Sequence, residues 1–269
     1  MDSQRSFNKV TERRGNMSIK PGKKFNPPKS NCLVTELFNQ GDSNLEFLSA
    51  AQVDISEGAL SPRFSFKYEE TLIFNLGDEC EAEVEGTLYS LAHYDVLYIP
   101  VNTSFVLRHT GEEPGLLYLY RAIGDESYSV YHAKWKEVQK DNERIRHLNR
   151  KVVYKMFDVT EGANKFMAGY TFYDTYSRAW PPHNHTDQEE VYSFIEGEGA
   201  MEVYPTDEEK TFVSSVGVGD HITIPMLNYH PVFSHEKPVT FIWCIAGERY
   251  WVGDKNTDFM KGKGETITT

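Results

Sequence analysis

The sequence predicts an all-β protein built as two similar halves, each a sandwich or barrel of short antiparallel strands. Segments rich in β-branched and aromatic residues recur along the chain and are separated by Gly, Asp, Asn or Pro. Many short strands with frequent turn signals are typical of sandwiches and barrels. The same order of strands and turns occurs twice, which indicates two units of this kind.

Strand-forming segments are numerous, whereas helical patterns are scarce. Strands are predicted for EFLSAAQVDI, ETLIFNLG, AEVEGTLYSL, DVLYIPV and LLYLYRA in the first half, and for VVYKMFDV, GYTFYDTY, EVYSFIEG, AMEVYP, HITIPM and VTFIWCIAG in the second. The best helical candidate is the charged stretch AKWKEVQKDNERIRH, at about 133–147, which follows the first group of strands. We expect this stretch to connect the two halves.

The internal repeat sets the predicted domain boundaries. YEETLIFNLGDECEAEVEG and AHYDVLYIP in the first half correspond to QEEVYSFIEGEGAMEVY and VGDHITIP in the second. Aligning Glu70 with Glu190 also aligns Gly77 with Gly197, and further along each half an Asp and a Pro recur five residues apart, as Asp95 and Pro100 and as Asp220 and Pro225. The predicted organisation is a basic arm at 1–30, an N-terminal barrel at 31–124, a connection at 125–150 and a C-terminal barrel at 151–269.

Length, composition and cysteine content exclude several classes of protein. At 269 residues, of which 39% are hydrophobic, the chain can bury a large core. It has no apolar run of the roughly 20 residues that a membrane helix needs, and its N-terminus lacks the apolar segment of a signal peptide, so we expect a cytoplasmic protein. Its three cysteines lie far apart without a CxxC pair, which indicates neither a disulfide framework nor a thiolate zinc site.

Charge is distributed unevenly along the chain. Residues 1–30 contain eight Lys or Arg against two acids, a net charge of +6, so the net charge of −12 leaves −18 for the remainder. We interpret this arm as an extension that contacts the protein's own acidic surface or a sister subunit. Nucleic acid is the less favoured partner because the rest of the chain would repel a polyanion. The arm and the exposed edges of two barrels favour a homo-oligomer.

A cluster of histidines and acids marks the second half. The stretch 181–192 reads PPHNHTDQEEVY. Because a strand alternates its side chains between two faces, His183 and His185 point the same way, and Glu190 shares a face of the next strand with Tyr192. Imidazole and carboxylate groups bind divalent metals. Three metal-binding groups are therefore predicted to converge.

The wider pattern resembles the cupin superfamily. The motif HxHx4Ex6G begins at His183, and a second motif, Gx5Px4H, ends at His230. Cupins are small antiparallel jelly-roll barrels that hold a divalent metal with three histidines and one glutamate. The resemblance therefore implies a bicupin with His183, His185, Glu190 and His230 as the ligands of one ion per chain. The second motif departs at Leu227, where a glycine is usual.

Over nearly the whole chain, the sequence is also similar to the uronate isomerase family. The pieces that carry this resemblance are NRKVVYKMF, PPHNHTD, EEVY, NYHPV and TFIWCIAGE. The family contains 5-keto-4-deoxyuronate isomerase and 5-deoxy-glucuronate isomerase, and the pieces divide between the two. The resemblance implies a sugar isomerase, an intramolecular oxidoreductase that interconverts an aldose and a ketose, and it leaves the acidic sugar open.

The first half is predicted to be free of metal. Counted from Glu70, the places of the paired histidines fall on Arg63 and Ser65. Counted from Pro100, which corresponds to Pro225, the place of the last histidine falls on Phe105. Arginine stays protonated and cannot bind a metal ion. We therefore expect the N-terminal barrel to have a structural role.

The ligand set alone does not choose the metal in the second half. Imidazole suits zinc, iron, nickel and copper, and a carboxylate admits manganese as well. Zinc or manganese is expected from the family resemblance. A divalent ion would stabilise the negative charge that develops on two sugar oxygens as a carbonyl moves between C1 and C2.

Proton transfer and substrate binding require further side chains. Tyr192, which shares the inward face with Glu190, and Glu202 on a flanking strand are the candidate proton carriers. An anionic sugar needs a cationic partner, for which Arg178 and Arg249 are the candidates, because a guanidinium pairs with a carboxylate or a sulfonate through two hydrogen bonds. Trp180 is the candidate wall of the pocket. Ordinary salt bridges and core packing are the alternative roles for these residues.

Three classes of function share this ligand set. The first is a metal-dependent aldose-ketose isomerase acting on a small anionic hexose derivative: a 5-deoxy-glucuronate, a ketodeoxyuronate or a 6-deoxy-6-sulfo sugar. The second is an iron-dependent cupin dioxygenase, and the third is a non-catalytic sugar-binding bicupin with a structural metal. The family resemblance favours the isomerase.

Overall fold

The computed structural model describes residues 32–180, 182–249 and 265–266, without the side chains of 179–180 and 265–266. Within these ranges the protein is almost entirely β, with one short helix, α1 (Trp135–Val138). This confirms the all-β prediction. The basic arm at 1–30 lies outside the described residues. No helix within the described ranges is long and apolar enough to cross a membrane.

Two antiparallel sheets form the first half. Its strands are β1 (Cys32–Phe38), β2 (Leu48–Ile55), β3 (Phe64–Ser65), β4 (Glu69–Asn75), β5 (Cys80–Val84), β6 (Thr87–Leu91), β7 (Val96–Ile99), β8 (Ser104–His109), β9 (Gly115–Ile123) and β10 (Tyr131–Ala133). The large sheet has the order β1-β2-β9-β4-β7-β10, and the small sheet has the order β3-β8-β5-β6. Buried side chains from both sheets form one hydrophobic core between them.

The second half repeats this arrangement. Its strands are β11 (Ile145–Leu148), β12 (Lys151–Phe157), β13 (Phe166–Tyr173), β14 (Ala179–Trp180), β15 (Gln188–Glu196), β16 (Glu198–Val203), β17 (Phe212–Gly217), β18 (His221–Ile224), β19 (Val232–Ser234), β20 (Val239–Gly247) and β21 (Glu265–Thr266). The large sheet has the order β11-β12-β13-β20-β15-β18. A small sheet, β17-β16-β19, and the pair β14-β21 complete this half.

The second half has a hydrophobic core of its own between its two main sheets, and a third hydrophobic cluster joins the halves. It contains side chains from the outer faces of both large sheets. Phe74 packs edge-on against Tyr170 with ring centroids 5.5 Å apart, and Tyr98 stacks on Phe157 at 5.0 Å. The two large sheets are therefore packed against each other, and the two smaller cores lie on either side of this interface.

Both halves contain the same aspartate turn. Asp95 Oδ2 accepts a hydrogen bond from the Ala92 N–H at 3.1 Å, and Asp220 Oδ2 accepts one from the Gly217 N–H at 2.8 Å. These turns lead into β7 and β18, respectively. The order β2-β9-β4-β7 thus corresponds to β13-β20-β15-β18, and the repeat inferred from the sequence is present in the topology.

Strand pairing corrects the alignment of the halves by one residue. Thr71 pairs with Ile99, which lies four residues after the turn aspartate of the first half. Glu190 pairs with Ile224, which lies four residues after the turn aspartate of the second half. Glu190 therefore corresponds to Thr71, and Glu70 corresponds to the residue before Glu190. The sequence alignment was displaced because β15 has a bulge between Phe194 and Glu196, which adds one residue ahead of the next turn.

Phenylalanines occupy the places in the first half that correspond to the paired histidines. In the corrected register these places are Phe64 and Phe66 rather than Arg63 and Ser65, while Phe105 remains the counterpart of the last histidine. The Phe64 and Phe105 rings stack with centroids 5.0 Å apart, and the Phe64 and Phe66 rings at 6.2 Å. A phenyl ring has no lone pair for a metal, so apolar packing takes the place of the ligand set here.

Two buried glutamates bind each half to the other. Glu70, from the first half, accepts hydrogen bonds at 2.8 Å from the backbone N–H groups of Asn164 and Lys165, just ahead of β13. Glu189, from the second half, accepts hydrogen bonds at 2.6–2.7 Å from the three backbone N–H groups of 46–48, at the start of β2. Because Glu70 and Glu189 occupy corresponding places, the two contacts form a reciprocal pair, which we call the carboxylate clasp.

A short hydrogen-bonded chain also crosses the interface. The Tyr120 hydroxyl donates to Ser193 Oγ at 2.5 Å, and Ser193 Oγ lies 2.7 Å from His221 Nδ1. All three residues are buried. Burial lowers the pKa of His221 to about 3, so the imidazole is neutral in the folded protein at neutral pH.

The connection between the halves is mostly extended. Helix α1 covers only four residues of the stretch 133–147 that was expected to be helical. Strand β10 pairs with β7 of the first half, and β11 pairs with β12 of the second. The expected helix was wrong because strand pairing at both ends outweighs a weak helical pattern.

We predict that Glu189→Ala destabilises the protein by roughly 2 kcal/mol or more, because it leaves one buried and two partly buried backbone N–H groups without an acceptor. Urea unfolding followed by fluorescence measures the change. Glu57→Ala, at an exposed position, is the control and should change stability by less than about 0.5 kcal/mol. A loss below about 1 kcal/mol for Glu189→Ala would show that the clasp contributes little.

We also predict an acid-sensitive interface. Because the folded state holds the pKa of His221 at about 3, below its ordinary value of 6.5, its contribution to stability is present above pH 6.5 and is lost as the pH falls toward 3. His221→Asn, whose Oδ1 can accept the Ser193 hydroxyl, should flatten this fall by up to roughly 1.4 kcal/mol per pH unit in urea unfolding. The exposed His147→Asn should leave the slope unchanged, and equal slopes for His221→Asn and the wild type would refute the assignment.

Candidate metal centre and cavity

Four side chains of ligand type converge in the second half. The ligand atoms of His183, His185, Glu190 and His230 all lie within 4.8 Å of one another. The paired histidines lie in the extended segment ahead of β15, Glu190 lies on β15, and His230 lies just ahead of β19. The structure thus brings together the four residues that the sequence motifs singled out.

Glu190 lies between two of the imidazoles. Its Oε2 is 3.3 Å from His185 Nε2 and 3.0 Å from His230 Nε2. None of these three buried atoms has a hydrogen bond of acceptable geometry among the described residues. Buried polar atoms normally have a partner, so three ligand-type atoms that converge in this way fit a cation between them.

Hydrogen bonding and ring packing hold His230 in place. Its Nδ1 lies 2.9 Å from the backbone oxygen of Asn228, so Nδ1 carries the proton and Nε2 presents a lone pair toward Glu190. The His183 ring packs edge-on against the His230 ring with centroids 4.5 Å apart, and the His185 ring stacks on it at 5.3 Å. This arrangement restricts the rotation of all three imidazoles.

The loop that carries His230 is tied to the paired histidines. The Leu227 N–H donates a hydrogen bond to the backbone oxygen of His185 at 2.7 Å. Leu227 has a φ of 65°, in the left-handed region that glycine adopts most easily. A leucine therefore keeps the backbone shape usual for glycine in the second motif, at a strain of order 1–2 kcal/mol.

Burial and charge set the protonation of these groups. Burial lowers the pKa of His183 well below its ordinary value, and the adjoining imidazoles, Lys151 and Arg146 lower it further. Burial alone would raise the pKa of the Glu190 carboxyl, but the two imidazoles beside it outweigh burial, so its pKa is lowered. At neutral pH, Glu190 is ionised and His183 is neutral, the states in which these groups bind metals.

A cavity that is partly open to solvent lies beside the four residues, with about 530 Å³ of empty space when the solvent at its mouth is included. One face of the large sheet of the second half lines it. Arg146, Val153, Thr171 and Phe241 are successive cross-strand partners on β11, β12, β13 and β20, so their side chains project to the same side. Tyr192 on β15 lies on this face as well.

Two basic side chains in the cavity wall were not singled out by the sequence. Lys151 is 8% exposed, and its Nζ lies 5.4 Å from the centroid of the Tyr173 ring. Burial, together with the positive charge of Arg146, lowers the pKa of Lys151 to about 7. Alternation within NRKVVYKMF places Lys151 and Val153 on one face, but the sequence does not say that this face turns inward.

The two arginines expected to bind the substrate have other contacts. Arg249 donates hydrogen bonds to three backbone carbonyl oxygens, including that of Phe166 at 2.9 Å. Arg178 lies on an isolated bridge to the small sheet. Neither arginine lines the cavity. The side chain of Trp180 lies outside the described residues.

Of the two candidate proton carriers, only Tyr192 faces the cavity. Its ring packs edge-on against the His230 ring with centroids 5.5 Å apart. Glu202 lies on β16 between two fully buried neighbours, so strand alternation turns it outward. Its carboxylate lies 3.4 Å from Lys210 Nζ, and it does not line the cavity.

Comparison of sequences places these features in a known context. The model of the KduI/IolB family matches residues 30–261. A relative from Oceanobacillus iheyensis, 4-deoxy-L-threo-5-hexosulose-uronate ketol-isomerase, is 23% identical over 259 residues, which cover 82% of this chain and 88% of the relative.

Solved structures show the same architecture. An IolB-like protein from Salmonella typhimurium has a TM-score of 0.69 and 14% identity, covering 83% of this chain and 92% of its own. Bacillus subtilis oxalate decarboxylase, which has Mn(II) centres, has a TM-score of 0.69 and 13% identity, covering 90% of this chain and 80% of its own. At these identities the likeness concerns the fold alone, and it confirms the expected bicupin.

We predict that Lys151→Met stabilises the protein at neutral pH, because it removes a buried ammonium group. The folded state lowers the pKa of Lys151 from 10.5 to about 7. The charged ammonium therefore destabilises the folded protein most below pH 7, and this destabilisation disappears as the pH rises from about 7 to 10.5. In urea unfolding, the variant should exceed the wild type at pH 7, and the difference should shrink by roughly 1.4 kcal/mol per pH unit up to about pH 10.5. Lys237→Met, at an exposed position, serves as the control. A variant no more stable than the wild type at pH 7 would contradict the assignment.

Proposed function

Because the chain belongs to the KduI/IolB family, we propose that it is a metal-dependent ketol-isomerase acting on an anionic six-carbon sugar. The observation that carries the proposal is the convergence of three imidazoles and one carboxylate beside a cavity that also contains two basic side chains. The name of the Oceanobacillus relative supports a uronate-derived sugar, a ketodeoxyuronate above all. A 5-deoxy-glucuronate and a 6-deoxy-6-sulfo sugar are the alternative substrates.

His183, His185, Glu190 and His230 would hold one divalent ion. Three imidazoles and a carboxylate suit both zinc and manganese. The Mn(II) centres of oxalate decarboxylase, which shares the fold, support manganese as one of the two. Such an ion would stabilise the negative charge that develops on the sugar oxygens as the carbonyl moves between C1 and C2.

The protein's own side chains would orient the sugar and move its proton. Tyr192 lines the cavity beside His230 and is the candidate to carry a proton between the two carbons. Apolar side chains, among them Val153, Phe241 and Ile245, line the same cavity and would exclude water from the reacting carbons. Glu202 has no part in this proposal because its carboxylate is turned toward Lys210.

We predict that the purified protein carries about one divalent ion per chain and that Glu190→Ala and His230→Ala lose both the ion and turnover, by at least roughly 100-fold. Elemental analysis measures the ion. NMR in heavy water, with the ketodeoxyuronate, 5-deoxy-glucuronate and a 6-sulfo hexose as substrates, identifies the product and shows whether solvent hydrogen enters it. The matched control is His235→Asn, an exposed histidine of the same half, which should keep the ion and full activity.

Other outcomes assign the protein to another class. Full activity after removal of the metal would refute the metal-dependent mechanism. Consumption of oxygen by an iron-loaded protein would indicate a dioxygenase, whereas full metal occupancy without turnover of any of these sugars would indicate a sugar-binding bicupin. Circular dichroism of each variant establishes that it is folded.

A further inference from the structure

Arg146 and Lys151 lie on neighbouring strands at one edge of the large sheet of the second half. Arg146 on β11 is the cross-strand partner of Val153 on β12, and Lys151 lies two residues before Val153 on the same face. All three line the cavity. Two positive groups are therefore held side by side on rigid strands rather than on a loop.

The charge of the cavity wall is unusual for this protein. The chain as a whole has a net charge of −12, yet Glu190 is the only acidic residue among the described lining residues. Glu190 already lies between two imidazoles. The cavity thus presents an excess of positive charge to its contents. Buried charge is unfavourable, so its presence in a cleft points to a ligand of opposite charge.

Arg146 and Lys151, which we call the basic pair, lie at a different place around the cavity from the four ligand-type residues. β11 and β12 are separated from β15, which carries Glu190, by β13 and β20. Apolar side chains such as Phe241 and Trp243 on β20 line the cavity between them. A molecule that reaches both places needs an oxygen-rich reacting end, a middle part and an anionic far end.

We propose that Arg146 and Lys151 bind the carboxylate of the sugar acid, so that the cavity selects a uronate over a neutral hexose. The proposal rests on the isomerase function proposed above and deepens it, because it names the group that distinguishes the substrate. A hexuronate has its carbonyl at one end and its carboxylate at the other, as the cavity requires. The guanidinium of Arg146 can form two parallel hydrogen bonds to a carboxylate, and Lys151 adds a point charge.

The position of Lys151 is consistent with this role. Burial lowers its pKa to about 7, and a bound carboxylate beside it would favour the charged form. A buried charge that lowers the stability of the ligand-free protein, and whose cost a bound anion offsets, is expected at a position that contributes to binding rather than to folding.

The test uses the full-length, metal-loaded protein and the variants Arg146→Gln, Lys151→Met and Lys151→Arg. Binding of D-glucuronate and of D-glucose, measured by calorimetry, should show that the wild type prefers the acid. Arg146→Gln and Lys151→Met should each weaken glucuronate binding at least tenfold while leaving glucose binding and metal content unchanged. Lys151→Arg should restore most of the preference, because it keeps the positive charge. The exposed Lys237→Met is the control and should behave as the wild type.

Kinetics provide a second readout on the ketodeoxyuronate. The loss should appear mainly as a raised KM, with kcat within a few-fold of the wild type, because the pair holds the far end of the sugar. A preference for glucuronate that survives in both Arg146→Gln and Lys151→Met would overturn the proposal. The protein could instead turn over none of the sugars and still bind glucuronate selectively through Arg146 and Lys151. That result would support the proposed carboxylate site and would refute only the isomerase function.

Discussion

Two consecutive glutamates at the start of β15 must point to opposite faces of the strand, and the rest of the structure depends on this constraint. Glu189 turns outward to the interface, where its carboxylate accepts hydrogen bonds from three backbone N–H groups of the other half. Glu190 turns inward, to the imidazoles and the cavity. One short segment thus fixes the position of the second half on the first and the position of the carboxylate in the site. The first half keeps the outward glutamate, as Glu70, and has Thr71 in place of the inward one.

This division explains how two similar barrels can have different roles. The clasp needs one glutamate from each half, so both halves keep it. Among the residues that the structure describes, the ligand-type side chains converge only in the second half, whereas the corresponding places in the first are filled by stacked phenylalanines. The first half therefore provides an apolar and hydrogen-bonded support for the sheet whose other face lines the cavity. The cavity is lined at one place by Glu190 and the imidazoles and at another by the basic pair, Arg146 and Lys151. This arrangement of charge suits a small sugar acid.

Much of the fold and the convergence of the four ligand-type side chains could be predicted from the sequence, because both depend on local patterns. Short strands, turn residues and the spacing of His183, His185 and Glu190 are properties of a few consecutive residues. The errors arose where the outcome depends on contacts between distant segments. The bulge in β15 displaced the alignment of the halves, and strand pairing replaced most of the expected helix. Arg249 has the right charge for a substrate clamp, but backbone carbonyls bind it elsewhere. Lys151 and Arg146 lie in the cavity wall because of how β11 and β12 pair, which no local motif reveals.

The central claim is that the four converging side chains hold a divalent ion with room left for sugar oxygens. X-ray absorption spectroscopy of the purified, metal-loaded protein tests it most directly, because it reports the atoms that surround the ion. The account predicts three imidazole nitrogens and one or more oxygens at about 2.0–2.2 Å, with an oxygen neighbour that changes when the sugar acid is added. A sulfur neighbour, a shell of oxygens alone, or a spectrum indifferent to Glu190→Ala would contradict the account.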